Sequence, residues 1–434
     1  MGPGGLGMGR TLEEDLDWLY SLESMGIKLG LSNVRALLGR LGDPQERFSS
    51  VHVAGSNGKG SVSAMLASVL RAAGHRTGLY TSPHLVRFSE RMTVDGHQPS
   101  DAELGRAVSE MRELVEGMKL PRPLTFFEIT TALAFLHFAD RGADIAVVEV
   151  GMGGRLDATN VITPLCCAIA PVGLEHTAFL GDTLGRIAYE KASVIKEGVP
   201  VVSSPQHPDA LRVISWMAAC RASPLSVSGR DFHSECLRRD LQGTTVRLSS
   251  LGTDVRVGML GRYQCQNAGV AAECALRLSG FEVAREAVEK GLAEARWPGR
   301  LDVVRQRPLT VLDVTHTPEG ARAISTELDL FPGSPRVLVA GMLKDKDARG
   351  VMAELAPLFD RVICTSPRTP RALSPRGMLE AAVPFNSTAT AVDGVPEAIR
   401  AAEDLAGPDG FIMVCGSLYT VGEAMQALEE GHGP

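Results

Sequence analysis

Through most of the chain, short continuous apolar runs alternate with segments of helical period. Val51-His-Val-Ala54, Ile145-Ala-Val-Val-Glu-Val150 and Cys166 to Pro171 have the length and composition of buried strands, as do shorter runs around Leu79 and at Pro200 to Ser203. Helical spacing appears at Met65, Leu66, Val69 and Leu70, and Phe126 to Asp140 predicts a largely buried helix. Thr11 with Glu14, ahead of Leu12, Leu16, Leu19 and Leu22, has the spacing of a capping box, and Ser100 with Glu103 opens another helix. A further short helix runs to about Leu41 and stops at Gly42-Asp-Pro44. Strands alternating with helices predict a mostly parallel sheet with helices on both faces, an α/β fold.

The alternation lapses between Leu225 and Met259, where pieces such as Thr244-Thr-Val-Arg-Leu-Ser249 follow one another without helices. This predicts a small antiparallel appendage. Helices at Gln264 to Leu278 and Val283 to Ala295 lead into Trp297-Pro-Gly-Arg300, which breaks the pattern. A second alternating series then places strands near Leu309, Val337, Val362 and Ile412. The expected division is a phosphate-loop-type domain over 1–297, carrying the appendage, and a Rossmann-like α/β domain over 298–434. A chain of 434 residues exceeds one ordinary core, which agrees with two domains. Met1 to Arg10 is glycine-rich without period and reads as a loose tail.

Composition narrows the function without choosing it. Apolar residues make up 44% and charged residues 22%, the balance of an ordinary globular protein. No uncharged apolar run reaches the roughly 18 residues of a membrane span and no signal-peptide core is evident, so a cytoplasmic protein with no membrane partner is expected. The net charge of −7 argues against a nucleic-acid partner. Eight scattered cysteines lack a C-x-x-C pair and read as reduced, buried small residues.

Candidate chemistry begins at Gly55-Ser-Asn-Gly-Lys-Gly-Ser61, between the first strand and its helix. Glycines let backbone N–H groups converge on an anion, the helix start adds partial positive charge, and Lys59 can meet phosphate oxygens. Asn57, Gly58, Lys59, Gly60 and Ser61 are therefore candidate nucleoside triphosphate contacts. The loop departs from G-x-x-x-x-G-K-[ST], because Val53 replaces the first glycine and Gly60 separates Lys59 from Ser61. On the loop alone, a plain glycine-rich turn remains an alternative. Glu149 ends an apolar strand just before Gly151-Met-Gly-Gly154, at the sheet edge where ligands bind, and suits Mg²⁺ beside phosphates; a glutamate that faces water is the other reading. Taken alone, His176 reads as structural and Lys191 as a surface lysine.

The loop, with Gly78-Leu-Tyr-Thr-Ser-Pro-His-Leu-Val-Arg-Phe-Ser-Glu-Arg91, resembles the folylpolyglutamate synthase and dihydrofolate synthase family of Mur-type ATP-dependent amide ligases. The family loop is G-T-N-G-K-G-S/T, so the residue after Lys59 is a family feature. The run Val148 to Asn160 matches V-E-V-G-x-G-G-R-x-D-A-T-N, which implies that Glu149 is a magnesium ligand, with Ser82 as another. Gly173-Leu-Glu-His-Thr177 resembles G-x-D-H-T, implying metal binding by His176, with Glu175 in place of aspartate. Lys191 lies in a stretch like E-K-A-x-x-I/F, whose lysine is carbamylated and binds a second magnesium. Arg155 and Asp157 match a loop against the pterin-bearing substrate. Glu128, in Phe126-Phe-Glu128, belongs to a second matching motif, and either substrate contact or a buried helix network would explain it.

In the second half, Trp297-Pro-Gly-Arg-Leu-Asp302 resembles a linker whose arginine contacts ATP, assigning Arg300. Gln264 and Asn267 fit a segment near the adenine in which Tyr263 replaces histidine. Asp313 and His316 match D-G-A-H-N-P, with Thr317 in place of asparagine, and Ser417 matches the position linked to the incoming glutamate. The resemblance spans roughly residues 50 to 425. It implies an ATP- and Mg²⁺-dependent monomer that adds L-glutamate to a folate or pteroate carboxylate through an acyl phosphate, with Lys59, Glu149, His176 and Lys191 as the catalytic set. A Mur-type ligase for another acid and a non-catalytic nucleotide-binding regulator are the competing readings.

Overall fold

The computed structural model of the chain describes residues 11–26 and 28–430, so the expected tail Met1 to Arg10 lies outside the described residues. The apolar runs form strands β1 (Ser49–Ala54), β2 (Thr77–Tyr80), β3 (Met92–Val94), β4 (Ile145–Glu149), β5 (Cys166–Ile169), β6 (Val201–Ser203) and β7 (Leu225–Val227). They make one sheet in the order β3-β2-β4-β1-β5-β6-β7, parallel except for β3, which runs antiparallel to β2 at the edge. Continuous apolarity suits this sheet because both faces are covered. The helices Ser32–Arg40, Asp101–Glu116 and Phe126–Asp140 contribute to one apolar core on it. A second core holds the helices Lys59–Ala72, Tyr263–Ala275 and Arg285–Glu294.

Both expected capping boxes form, at Thr11 with Glu14 and at Ser100 with Glu103. The appendage is smaller than expected. Leu225 does not begin it, because β7 pairs in parallel with β6 and closes the main sheet. Strands β8 (Ser234–Asp240), β9 (Gly243–Leu248) and β10 (Thr253–Val257) then form the three-stranded antiparallel sheet, β10-β9-β8.

The second series builds β11 (Asp302–Gln306), β12 (Leu309–Leu312), β13 (Arg336–Ala340), β14 (Arg361–Cys364), β15 (Thr390–Ala391) and β16 (Phe411–Cys415), in the order β11-β12-β16-β13-β14-β15. All pairs are parallel except β11 with β12. Apolar cores lie on both of its faces, the doubly wound arrangement. Leu85, Leu241, Leu260 and Tyr263 pack against these cores, and a polar clasp adds to them. Glu327, 1% exposed, pairs with Arg239 of β8 and accepts the Arg262 backbone N–H at 3.0 Å, while Arg239 also meets Asp329 at 3.3 Å. No described helix is long and apolar enough to cross a membrane.

The helix Lys59–Ala72 is the most closely approached element. Gly291 brings the helix Arg285–Glu294 so near that a Cβ there would lie 2.4 Å from Val69 Cα and 2.6 Å from Val69 N. Backbone on backbone leaves no flexible side chain to yield. Gly291→Ala should therefore lower the thermal midpoint by about 1–3 °C, at an overpacking cost of about 1–3 kcal/mol. Alanine's better helix propensity works the other way, so an unchanged or raised midpoint in thermal unfolding would show that the two helices separate freely.

Candidate active site

Residues 55–61 connect β1 to the helix Lys59–Ala72 through backbone that only glycine fits. Gly55 has φ +144°, and a Cβ on it would lie 2.6 Å from Ala170 Cβ; Gly58 has φ +84° and starts the helix. The Ser56 and Asn57 N–H groups donate to Pro171 O at 2.8 and 3.3 Å, and Ser56 Oγ bonds both the N–H and carbonyl of Gly173. No side chain caps the helix, so its first-turn N–H groups are left for an anion. Lys59 Nζ stands beside them and donates to Ser56 O at 3.3 Å. Gly60, the residue outside the strict pattern, has its own cause: a Cβ there would lie 2.9 Å from Trp297 Cζ2, so the linker indole lies directly on the loop.

Register brings the acid to the cation. Val53 of β1 pairs with Glu149 of β4, so both strands release their chains at the same sheet edge. Glu149 is 5% exposed and accepts the Ser82 N–H at 3.3 Å. Burial pushes its carboxyl up to about 7, against the pull of Lys59, that N–H and Arg300. Lys191 is also buried rather than on the surface, donating to Gly55 O at 2.8 Å and to Glu175 Oε1 at 2.6 Å. Burial, then Lys59, bring its amine down to about 8, opposed by Glu175. Burial alone would raise the Glu175 carboxyl, but Lys59 and Lys191 together hold it below its ordinary value. His176 follows at φ +47°, its imidazole lowered by burial.

The second half closes over this edge. Arg300 makes no ion pair among the described residues, yet its charge acts on Glu149, Asp313 and His316. Asp313, 1% exposed, accepts the N–H groups of Leu301 at 2.9 Å and Thr315 at 2.8 Å, fixing the linker that carries Arg300. His316 Nδ1 donates to Val314 O at 2.9 Å. Lys346 acts on both His316 and His176; the stretch that holds it, Gly341-Met-Leu-Lys-Asp-Lys-Asp347, resembles the family, but the sequence reading assigned Lys346 no role. Gln264 and Asn267 sit beneath the loop. Gln264 donates to Ser61 Oγ at 3.3 Å and accepts from Asn267 at 2.8 Å, and Asn267 Oδ1 would be 2.8 Å from a Cβ on Gly58. Ser417 accepts the Thr420 N–H at 3.1 Å at the start of the last helix and shares a 2.8 Å hydrogen bond with the Thr420 hydroxyl.

A cavity of about 450 Å³ opens beside the site, with walls from Leu29, Phe126, Phe127, Met152 and Leu156 and polar groups from Ser82, Asp157 and His176. Asp157 is buried and bound on both oxygens, by Met152 N–H at 2.9 Å and by Thr159 N–H and Oγ1 at 3.0 and 2.5 Å. Arg155 points outward and pairs with Glu190 at 3.0 Å. Glu128 lines the cavity, but both its oxygens are engaged: Arg122 binds them at 2.8 Å each, and Thr125 N–H and Oγ1 complete a capping box. Of its two readings, the buried helix network is the one the geometry presents. Arg91 was missed. It is 6% exposed, lies over the Phe88 and Phe126 rings, and donates to His84 Nδ1 at 2.7 Å; His84 and Phe88 are near in sequence, but the Phe126 ring that completes the contact is 35 residues on.

Residues 53–275 match the Mur ligase middle domain, and residues 299–418 match the Mur ligase glutamate ligase domain. The dihydrofolate synthase/folylpolyglutamate synthase of Bacillus subtilis is 34% identical over 95% of this chain and 98% of its own length. This chain belongs to the folylpolyglutamate synthase/dihydrofolate synthase family of Mur ligases. Against a Haloferax volcanii protein named as a bifunctional folylpolyglutamate synthase/dihydropteroate synthase, identity is 39% over 95% of this chain, which spans about half of that protein (50%). Mycobacterium tuberculosis folylpolyglutamate synthase, solved with ADP and AMPPCP, superposes with a TM-score of 0.87 at 32% identity, covering 98% of this chain and 100% of that one.

The three departures from the family motifs have local explanations. Glu175 reaches the Lys191 amine, and Tyr263 is partly buried beside Asp313 and Arg300, its phenol pushed up chiefly by desolvation. Thr317 is the N-cap of the helix Pro318–Ser325, accepting the Gly320 N–H at 3.1 Å, a role threonine fills as asparagine does.

Behind Asp157, His52 Nε2 lies 2.9 Å from Thr159 Oγ1, and burial lowers the imidazole to about 3. Because the Thr159 hydroxyl donates to Asp157, His52 donates through Nε2–H and is neutral. A histidine whose folded pKa is depressed supports the fold fully above its unfolded value, near 6.5, and loses that support as pH falls toward 3. His52→Gln should flatten the fall in stability between pH 6.5 and 4.5, where one such group accounts for up to about 1.4 kcal/mol per pH unit. Denaturation midpoints across that range measure it, and an equal slope in both proteins would show that His52 is not the group that titrates.

Proposed function

We propose that the chain joins L-glutamate to the carboxylate of a pteroate or folate, with ATP supplying the phosphoryl group for an acyl phosphate. The observation that carries this is the uncapped helix start bearing Lys59 beside buried Glu149, facing Arg300 of the linker, which makes no ion pair among the described residues. The family membership and the ADP and AMPPCP bound by the M. tuberculosis relative support it. The division into 1–297 and 298–434 accords with it, since both substrates and ATP then meet between two domains. The transferring phosphoryl group spreads charge over its oxygens, which the loop N–H groups, Lys59 and Arg300 are placed to neutralise. The apolar cavity takes the pterin acid, with Asp157 at its border and Arg155 outside it on Glu190, while Ser417 is assigned to the glutamate side and Asp313 and His316 to the nucleotide side. Gln264 and Asn267 serve the nucleotide through the loop they brace.

Magnesium fits this donor set. Among the described residues no group of three or more acidic, histidine or cysteine side chains could hold a metal alone. One buried carboxylate with a neighbouring hydroxyl, Glu149 and Ser82, is instead the sparse protein share that magnesium takes when phosphates supply the rest. When bound there it would neutralise phosphate charge. A second magnesium at His176 and Lys191 requires a carbamate on Lys191, because an ammonium repels a cation. Burial of the amine favours the neutral form that meets CO₂, and Glu175 at 2.6 Å favours the ammonium. Lys191→Ala should lose activity that a short added carboxylic acid partly restores; without restoration, and without bicarbonate-dependent activity, Glu149 and Ser82 remain the protein's metal ligands.

Phosphate release that needs both glutamate and a pterin acid tests the central reading. Release with glutamate and a different acid would favour another Mur ligase activity, and nucleotide binding without release would favour a regulator. Lys59→Ala should lower turnover by about 10²–10³, the scale of losing one preorganised donor to a transition-state charge. Near-normal ligation in that variant would remove the loop from the mechanism.

A further inference from the structure

A second cavity, of about 610 Å³, begins where phosphoryl transfer is placed and leads away from it. Gly60, Glu149 and Arg300 line its inner end, and Ser82 and Pro83 are its only residues in common with the apolar cavity. Its wall follows the helix Lys59–Ala72 from Gly60 to Arg71, which at 1.5 Å per residue is about 16 Å.

This path is polar where the other cavity is apolar. Arg71, Arg87 and Arg296 line it, all exposed, and none makes an ion pair among the described residues. Arg71 donates to Asp95 O at 3.3 Å, and Arg296 to Ala293 O and Ala295 O at 2.9 and 2.8 Å, all backbone carbonyls. Two acids on the wall are already occupied. Glu90 accepts the N–H groups of Leu85 at 2.7 Å, Val86 at 3.0 Å and Arg87 at 2.6 Å, and Asp95 accepts that of Thr77 at 2.9 Å. Glu294 and Glu429 are exposed to solvent. Ser68, 5% exposed, also lines the wall, and its Oγ has no hydrogen-bond partner among the described residues.

Ligation leaves an anion at the inner end of this path. When the glutamate nitrogen bonds the acyl carbon, the C–O bond to phosphate breaks and its electron pair departs with the phosphate. Of the two protons the ammonium gives up, one goes to the phosphate and one to solvent. At that moment the new amide fills the apolar cavity and ADP lies on the loop. Passing a dianion along apolar side chains would strip its water without replacement, whereas guanidinium groups match phosphate oxygens in geometry and charge.

We propose that this cavity is the exit for inorganic phosphate, with Arg71, Arg87 and Arg296 drawing the dianion outward from Arg300. The inference rests on the reading of the chain as a pterin-acid glutamate ligase. Exposed cations suit a departing ion, since each such pair is worth up to about fivefold in affinity, which guides phosphate without holding it.

The test follows the first turnover with ATP, folate and L-glutamate in two ways: amide product in acid-quenched samples, and free phosphate reported by a fluorescent phosphate-binding protein. In Arg71→Glu/Arg87→Glu the amide should form at the wild-type rate while free phosphate lags behind it. Release should slow roughly tenfold or more, because two attractions worth up to about fivefold each become repulsions. The lag should shorten as salt screens the reversed charges, and Arg71→Lys/Arg87→Lys should show none. Coincident amide and phosphate traces in Arg71→Glu/Arg87→Glu at low salt overturn the exit. Slower amide formation there also overturns it and puts the arginines in the chemistry; a raised KM for L-glutamate without a lag makes the cavity that substrate's entry instead. Wild-type protein that forms no amide from any pterin acid overturns the ligase reading and this inference with it.

Discussion

The site depends on how closely other backbone and rings approach the helix Lys59–Ala72 and its loop. Gly55 abuts Ala170, Gly58 abuts Asn267, Gly60 abuts Trp297, and Gly291 brings another helix onto Val69; in each case a Cβ would come under 3.0 Å. Such contacts leave little room for the loop to drift, so its N–H groups are fixed before any ligand arrives. That matters because donors already in position cost no reorganisation when charge develops. Trp297 extends the same constraint to the linker, placing Arg300 by the loop it must serve.

Charge at the sheet edge is only partly compensated, with Lys191 ion-paired to Glu175 while Arg300 and Lys59 make no ion pair among the described residues. Lys59 pulls against the burial of Glu149, and Glu175 answers Lys191. A triphosphate entering this edge meets cations already partly desolvated, where electrostatic interactions are stronger than in water. Glu149, held near neutrality by burial, can take up charge when a cation or phosphate-bound metal comes close. The departure at Glu175 belongs to this balance: the glutamate spans to the Lys191 amine.

How much of this was legible depends on where the partners lie in the chain. The doubly wound sheets were readable because buried parallel strands are continuous apolar runs. Edge strands were not: β3 and β15 are two or three residues long, and β7, without a following helix, read as the start of the appendage. Lys59 and Glu149 stood out because each carries its context within ten residues. Glu128 did not, because its capping role and its pairing with Arg122 depend on three-dimensional orientation. The His52–Thr159–Asp157 chain joins residues 107 positions apart, and Arg91 lies between rings from separate elements. Thr317 stood as a departure in the motif and is the N-cap of a helix in the fold.

The clasp at Glu327 has a thermodynamic consequence. Its buried carboxylate takes a partner from β8 and a backbone N–H from the start of the helix Tyr263–Ala275, both on the far side of the linker. Melting the second sheet alone would leave Arg239 without its partners, and melting the first alone would take from Glu327 both the Arg239 guanidinium and the Arg262 N–H. Neither half therefore has a cheap partly unfolded state, and heat should be absorbed in one cooperative peak rather than two.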